Sequence, residues 1–155
     1  MQNIELMKQV PLFKNLDDSD LSKLSAIATE QTFSAGCLVV SEGDPGDSLF
    51  IIKYGTVHLS KHGETEEEEV GYMGSGQHFG EMALIDDEPR SATVEAAEHT
   101  ELICIRRDDF ENLLKQDTVL GFRVYKRFAR ILSNRLRETT NELCVIKEHI
   151  KRKIS

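Results

Sequence analysis

Apolar residues change their spacing twice along the chain, and those changes divide it into three stretches. In residues 1–30, Leu21, Leu24 and Ile27/Ala28 recur at helical spacing. Just before them stands Asp17-Asp18-Ser19-Asp20, whose side chains suit a helix N-terminus. Pro11-Leu12-Phe13 reads as a short apolar elbow that packs onto the next part of the chain. From 31 to 106 the period shortens. Cys37–Val40, Leu49–Ile52, Thr56–Leu59, Glu69–Met73, Ala92–Val94 and Glu101–Ile105 are β-rich runs parted by glycine-containing turns. Nine of the ten glycines fall between Gly36 and Gly80. That density predicts tight turns in succession, hence a barrel, sandwich or β-roll and not a βαβ fold.

Beyond Asp108 the helical period returns. Asp108 and Asp109 are placed to cap a short helix bearing Phe110, Leu113 and Leu114. A longer helix is predicted over 118–150, with no Pro and no Gly after Gly121. Within it Tyr125, Ala129, Leu132, Leu136, Thr139, Leu143, Ile146 and Ile150 alternate by fours and threes, an a/d seam of nearly four heptads. Phe122, Phe128 and Ile131 form a second face, expected to pack back on the β body. A seam left over after one face is buried meets another copy of itself, so the pattern predicts a parallel homodimer through the 122–150 helix. The division expected is a β-rich unit with N-terminal helices over 1–116 and a long helix over 117–155.

Composition narrows the class. At 155 residues the chain has the size of one domain, and 39% hydrophobic with 30% charged residues is ordinary for a soluble protein. No apolar run reaches the roughly 18–20 residues of a membrane span, and the N-terminus lacks a basic start and apolar core. A cytoplasmic setting is expected. Cys37, Cys104 and Cys144 lie far apart, and His58, His62, His78, His99 and His149 form no metal-binding spacing, so no metal site is expected. The net charge of −8 is uneven: residues 1–116 carry 9 Lys/Arg against 23 Asp/Glu, and 117–155 carry 10 against 4. A basic tail on an acidic body means either a nucleic-acid arm or a solvated helix face. The Glu66–Glu69 run reads as a solvated hairpin.

The chemistry concentrates in Phe79-Gly-Glu-Met-Ala-Leu-Ile-Asp-Asp-Glu-Pro-Arg-Ser-Ala-Thr-Val94. Gly80 allows close backbone approach, and the residues after it start a short helix with outward N–H groups, suited to an anion. Arg90 supplies a guanidinium fitted to bidentate phosphate recognition. Glu81 repels a phosphate, so it needs a donor such as a ribose hydroxyl, and Ser91 adds a hydroxyl for a phosphate oxygen. One phosphate beside a sugar hydroxyl satisfies all of these groups together. The plainer alternative is an ordinary turn with Arg90 paired to Asp86 or Glu88 at the surface.

This segment resembles the phosphate-binding cassette of the cyclic-nucleotide-binding domain family, F-G-E-x-A-L…P-R-[AST]-A-T-[VI]. Ser41-Glu-Gly-Asp-Pro-Gly-Asp-Ser-Leu-Phe-Ile-Ile-Lys-Tyr-Gly-Thr-Val57 is similar to the family's earlier hairpin, and the likeness covers about residues 10–145. The resemblance implies a mainly β fold with flanking helices: a β-roll or jelly-roll barrel of about eight strands, a short cassette helix and a long C-terminal dimerisation helix. It implies a ligand, cAMP or cGMP, with Glu81 on the ribose 2′-hydroxyl and Arg90 on the cyclic phosphate. The backbone of Gly80, Met82 and Ala83, with the Ser91 side chain, completes the cradle. Leu59, Val70 and Met73 resemble apolar walls beside the base. Arg135 and Thr139 are expected to touch the nucleotide in one subunit and Thr140 in the other. Ser91 stands where a Thr hydroxyl would help hold a syn guanine, which favours cAMP.

A regulatory sensor is therefore expected, with no enzyme activity, since neither metal ligands nor a nucleophile–base pair accompany the phosphate groups. The competing expectation is a transcription-regulator-like protein acting on DNA or a partner through the basic stretch Arg123–Arg137, independently of nucleotide. No groove-reading element comes after it in the sequence, which argues against DNA. The output is expected in a partner or in chain beyond these residues.

Overall fold

The computed structural model of the protein describes residues 3–63 and 67–154. Helix α1 (Ile4–Met7) and a 3-10 turn (Pro11–Phe13) lead into α2 (Asp18–Ile27), where Asp17 caps by accepting from Asp20 N at 2.8 Å. Eight strands come next: β1 (Thr29–Phe33), β2 (Leu38–Val40), β3 (Ser48–Tyr54), β4 (Thr56–His62), β5 (Glu67–Gly74), β6 (His78–Phe79), β7 (Thr93–Ala96) and β8 (Thr100–Arg106). A second 3-10 turn (Glu81–Leu84) sits between β6 and β7, and α3 (Arg107–Gln116) and α4 (Thr118–Ile154) close the chain. The strands form two antiparallel four-stranded sheets, ordered β1-β8-β3-β6 and β2-β7-β4-β5, rolled face to face. This is the β-roll with flanking helices that the resemblance implies.

Two cores explain the unbroken apolar runs. Alternate residues of a strand point to opposite faces. On β3 and β8, Phe50, Ile52, Leu102 and Cys104 therefore face the second sheet and pack with Val57 and Val94. Leu49, Ile51, Ile103 and Ile105 face the other way, into a helical layer of Met7, Leu12, Phe13, Leu21, Phe110, Leu120 and Val124. Strands covered on both faces are apolar throughout, which is why these two read clearly in sequence.

Two local expectations change. The N-cap of α3 is Arg106, with no side-chain cap bond, so Asp108 and Asp109 lie inside the first turn, where their charge favours the helix dipole. Asp117 instead caps α4, accepting from Leu120 N at 3.1 Å. Phe122 does not pack on the β body: it is 66% exposed, while Leu120, Val124 and Ile131 take the inner face and Phe128 is half-buried against it. Phe122 lies three residues before Tyr125 and so extends the seam by one position. From Leu132 to Ile154 every residue of α4 is exposed in the single chain. Glu66 lies outside the described residues, as do the side chains of the other three glutamates in its run.

Among the described residues, no helix is long and apolar enough to cross a membrane, and no group of His, Cys, Asp or Glu is arranged to hold a metal ion.

Candidate functional site

A cavity of about 470 Å³ opens where the 3-10 turn, the segment Asp86–Ala92 and the second sheet meet beneath α4. Its lining includes Gly80, Glu81, Met82, Ala83, Arg90, Ser91, Leu59 and Arg135 from the expected set. Val70 and Met73 do not line it: Val70 is exposed on β5, and Met73 packs half-buried against the inter-sheet core. Thr139 and Thr140 are exposed beyond Arg135 on α4 and do not line it either.

Gly80 adopts φ +80°, and a Cβ there would collide with Arg90 Nη1 and fall 2.8 Å from the Ser48 carbonyl oxygen. The chain turns here only because glycine leaves that room. Behind it Arg90 is 9% exposed, and its Nη2 donates to Ser48 O at 2.8 Å. The guanidinium carbon stands 5.6 Å from the centre of the Phe50 ring, which stacks on Phe79 at 5.1 Å. Burial pushes Arg90 below its ordinary value, and the nearby Asp47 works against that shift. Its Nε is buried without a hydrogen-bond partner among the described residues. Surface pairing of Arg90 with Asp86 or Glu88 is thus replaced by a buried, under-satisfied cation, which is costly.

Glu81 is held between two elements. Its Oε1 accepts from Arg135 Nη2 on α4 at 2.8 Å, and Arg135 Nη1 also reaches Met82 Sδ at 3.6 Å. Its Oε2 is buried, has no hydrogen-bond partner among the described residues, and lies 3.6 Å from His78 Nε2. His78 holds the Glu81 carboxyl below the usual carboxylate range, with Arg135 adding to the shift and burial opposing it. Ala83 N donates to Gly80 O at 3.0 Å, so of the three expected cradle residues it closes the turn itself.

Several contributors escape a reading from sequence. Arg107, from the first turn of α3, clamps the cassette from behind. Its Nη1 donates to Gly46 O at 2.9 Å, Ala83 O at 3.2 Å and Asp86 O at 2.7 Å, and its Nη2 pairs with Asp87 at 2.9 Å. Ser48, Phe50 and His78 also enter through strand pairing, β6 lying against β3 with His78 opposite Ile51 and Phe79 opposite Phe50. Within the basic stretch, Arg123 pairs with the buried Asp20 at 2.8 Å and Arg127 Nε donates to Pro11 O at 2.8 Å. Those two cations fasten α4 to the N-terminal helices.

A buried arginine and a carboxylate thus converge on one cavity of a β-roll. The chain belongs to the cyclic-nucleotide-binding domain family, whose model matches residues 30–117. It is 36% identical over 110 residues to the cAMP-dependent protein kinase regulatory subunit of Eremothecium gossypii, covering 71% of this chain and 23% of that one. To a cGMP-dependent protein kinase of Caenorhabditis elegans it is 30% identical over 116 residues, 73% of this chain and 15% of that one. The chain thus spans less than a quarter of the length of these two relatives. Among solved structures it is similar to the N-terminal domain of a transcriptional regulator from Streptomyces coelicolor A3(2), with a TM-score of 0.79 and 30% identity over 88% of this chain and 95% of that one.

Proposed function

We propose that this chain is a regulatory sensor that takes cAMP, in preference to cGMP, in the cavity beneath α4 and signals through that helix in a cytoplasmic homodimer. The observation that carries the reading is that Arg90 and Glu81 line one cavity and that each has a buried side-chain atom, Nε and Oε2, with no hydrogen-bond partner among the described residues. A cyclic phosphate supplies the acceptor Arg90 lacks, and a ribose hydroxyl supplies the donor Glu81 lacks. Ser91 adds a hydroxyl at the phosphate end, and Leu59, Val40 and Val94 offer apolar walls. A cavity of this size and makeup falls in the range that buries a small ligand.

Arg135 makes the site two-sided. It belongs to α4 yet is bound to Glu81, so a ligand that takes over the carboxylate changes the tie between helix and cassette. A ligand moves a helix only through such differential contacts. The exposed seam supplies the other half of the output. In a parallel, in-register pair, Glu142 would stand beside the partner's Lys147, the complementary arrangement of coiled-coil flanks.

Isothermal calorimetry and thermal melts with cAMP and cGMP test the reading. Heat of binding and a rise in Tm are expected with cAMP at lower concentration than with cGMP. A ligand at about 100 times its Kd adds about 2.7 kcal/mol of stability. No heat and no thermal shift with either nucleotide at millimolar concentration rejects it.

A further inference from the structure

β6 is only two residues long, and its pairing with β3 brings both His78 and Phe79 to the cavity wall. The imidazole Nε2 and the carboxylate Oε2 of Glu81 stand 3.6 Å apart. That is too far for a direct hydrogen bond. It is also the separation at which a single oxygen atom can lie about 2.8 Å from both. Oε2 has no partner among the described residues, whereas Oε1 is occupied by Arg135. An atom beside the pair and within reach of both meets an acceptor in Oε2 and, in the Nε2–H tautomer of His78, a donor; a hydroxyl, which donates and accepts at one oxygen, suits both.

Resting on the reading of the cavity as a cyclic-nucleotide site, we propose that His78 is a second ligand of the ribose 2′-hydroxyl: Glu81 Oε2 accepts its proton and His78 Nε2–H donates to its oxygen. A carboxylate alone accepts from any donor, amine or hydroxyl. The pair also reads the acceptor side of the group, so His78 sharpens selection for ribose. It acts on the ligand directly and not merely by positioning Glu81.

Three variants and two ligands test this. His78→Phe keeps a ring in place and removes the donor, His78→Gln keeps a donor near Nε2, and His78→Phe is repeated in a Glu81→Ala background. Affinities for cAMP and 2′-deoxy-cAMP are measured by calorimetry, with thermal melts to confirm folding. His78→Phe is expected to weaken cAMP about tenfold, the worth of one hydrogen bond, and 2′-deoxy-cAMP less than twofold. His78→Gln should recover most of the loss. In the Glu81→Ala background, His78→Phe should still weaken cAMP relative to the deoxy ligand. Equal loss for both ligands, no loss for cAMP, or no further effect once Glu81 is gone overturns the proposal. A wild-type protein that binds neither nucleotide overturns instead the cyclic-nucleotide reading beneath it.

Discussion

At Arg90 a full charge is buried with one side-chain hydrogen bond among the described residues, to Ser48 O. Arg90→Ala is therefore expected to cost more in ligand affinity than in folding. Truncating one partner of a buried charged pair costs about 2–5 kcal/mol of binding. Calorimetry should show that loss while the thermal melt stays cooperative; an unfolded variant would mark Arg90 as structural. Glu81 carries a pH signature. Its folded-state value lies below the ordinary 4.5, through His78 and Arg135. Its contribution to stability is thus fully present above the ordinary value and lost as pH falls through the lowered one. Glu81→Gln should be less stable than wild type at neutral pH, and the gap should close on acidification below 4.5, as followed by urea melts across pH. A gap that widens toward acid would contradict the shift.

The cassette is an element with almost no regular structure of its own, and its shape depends on what holds its carbonyls. Arg107 binds two of them together with Gly46 O. Arg107→Ala should leave buried acceptors unpaired at about 1–3 kcal/mol and speed amide exchange across 80–90 more than in β3 or β8. Unchanged exchange there would show that the clamp is dispensable. The site's own motif is legible in sequence because Gly80, Glu81, Arg90 and Ser91 are local to one segment. Arg107 is not, because its role depends on α3 folding back against the cassette. Strand visibility tracks burial in the same way. Leu49–Ile52 and Leu102–Ile105 stand out because both faces are covered. Thr29–Phe33 is mostly exposed and polar, and it exists as β1 through its ladder to β8. At Phe122 the aromatic ring alone suggests an inward place. Its position in the seam comes from helical phase, three residues before Tyr125.

For the whole molecule the decisive surface is the outer length of α4. Leu136 is 68% exposed, and Leu132, Leu143, Ile146 and Ile150 share its stripe on one flank of the helix. A stripe of this length uncovered in water predicts a dimer by sedimentation. Leu136→Asp combined with Leu143→Asp should yield a monomer with an intact β body, since neither residue touches either core. Wild-type protein sedimenting as a monomer at high concentration would reject the pairing.

The helix also has a mechanical consequence. Its inner face is anchored by Leu120, Val124 and Ile131, and by the ties of Arg123 to Asp20 and Arg127 to Pro11 O. Past Ile131 it runs on to Ile154 with no glycine or proline to absorb a bend. At about 1.5 Å per residue the free portion is about 35 Å long, so a tilt of about 10° at the fulcrum carries its tip about 6 Å. Arg135 grips Glu81 just one turn beyond that fulcrum. Movement at the cassette too small to disturb either core is thus geared up several-fold at the far end, where anything joined to the helix would receive it as displacement.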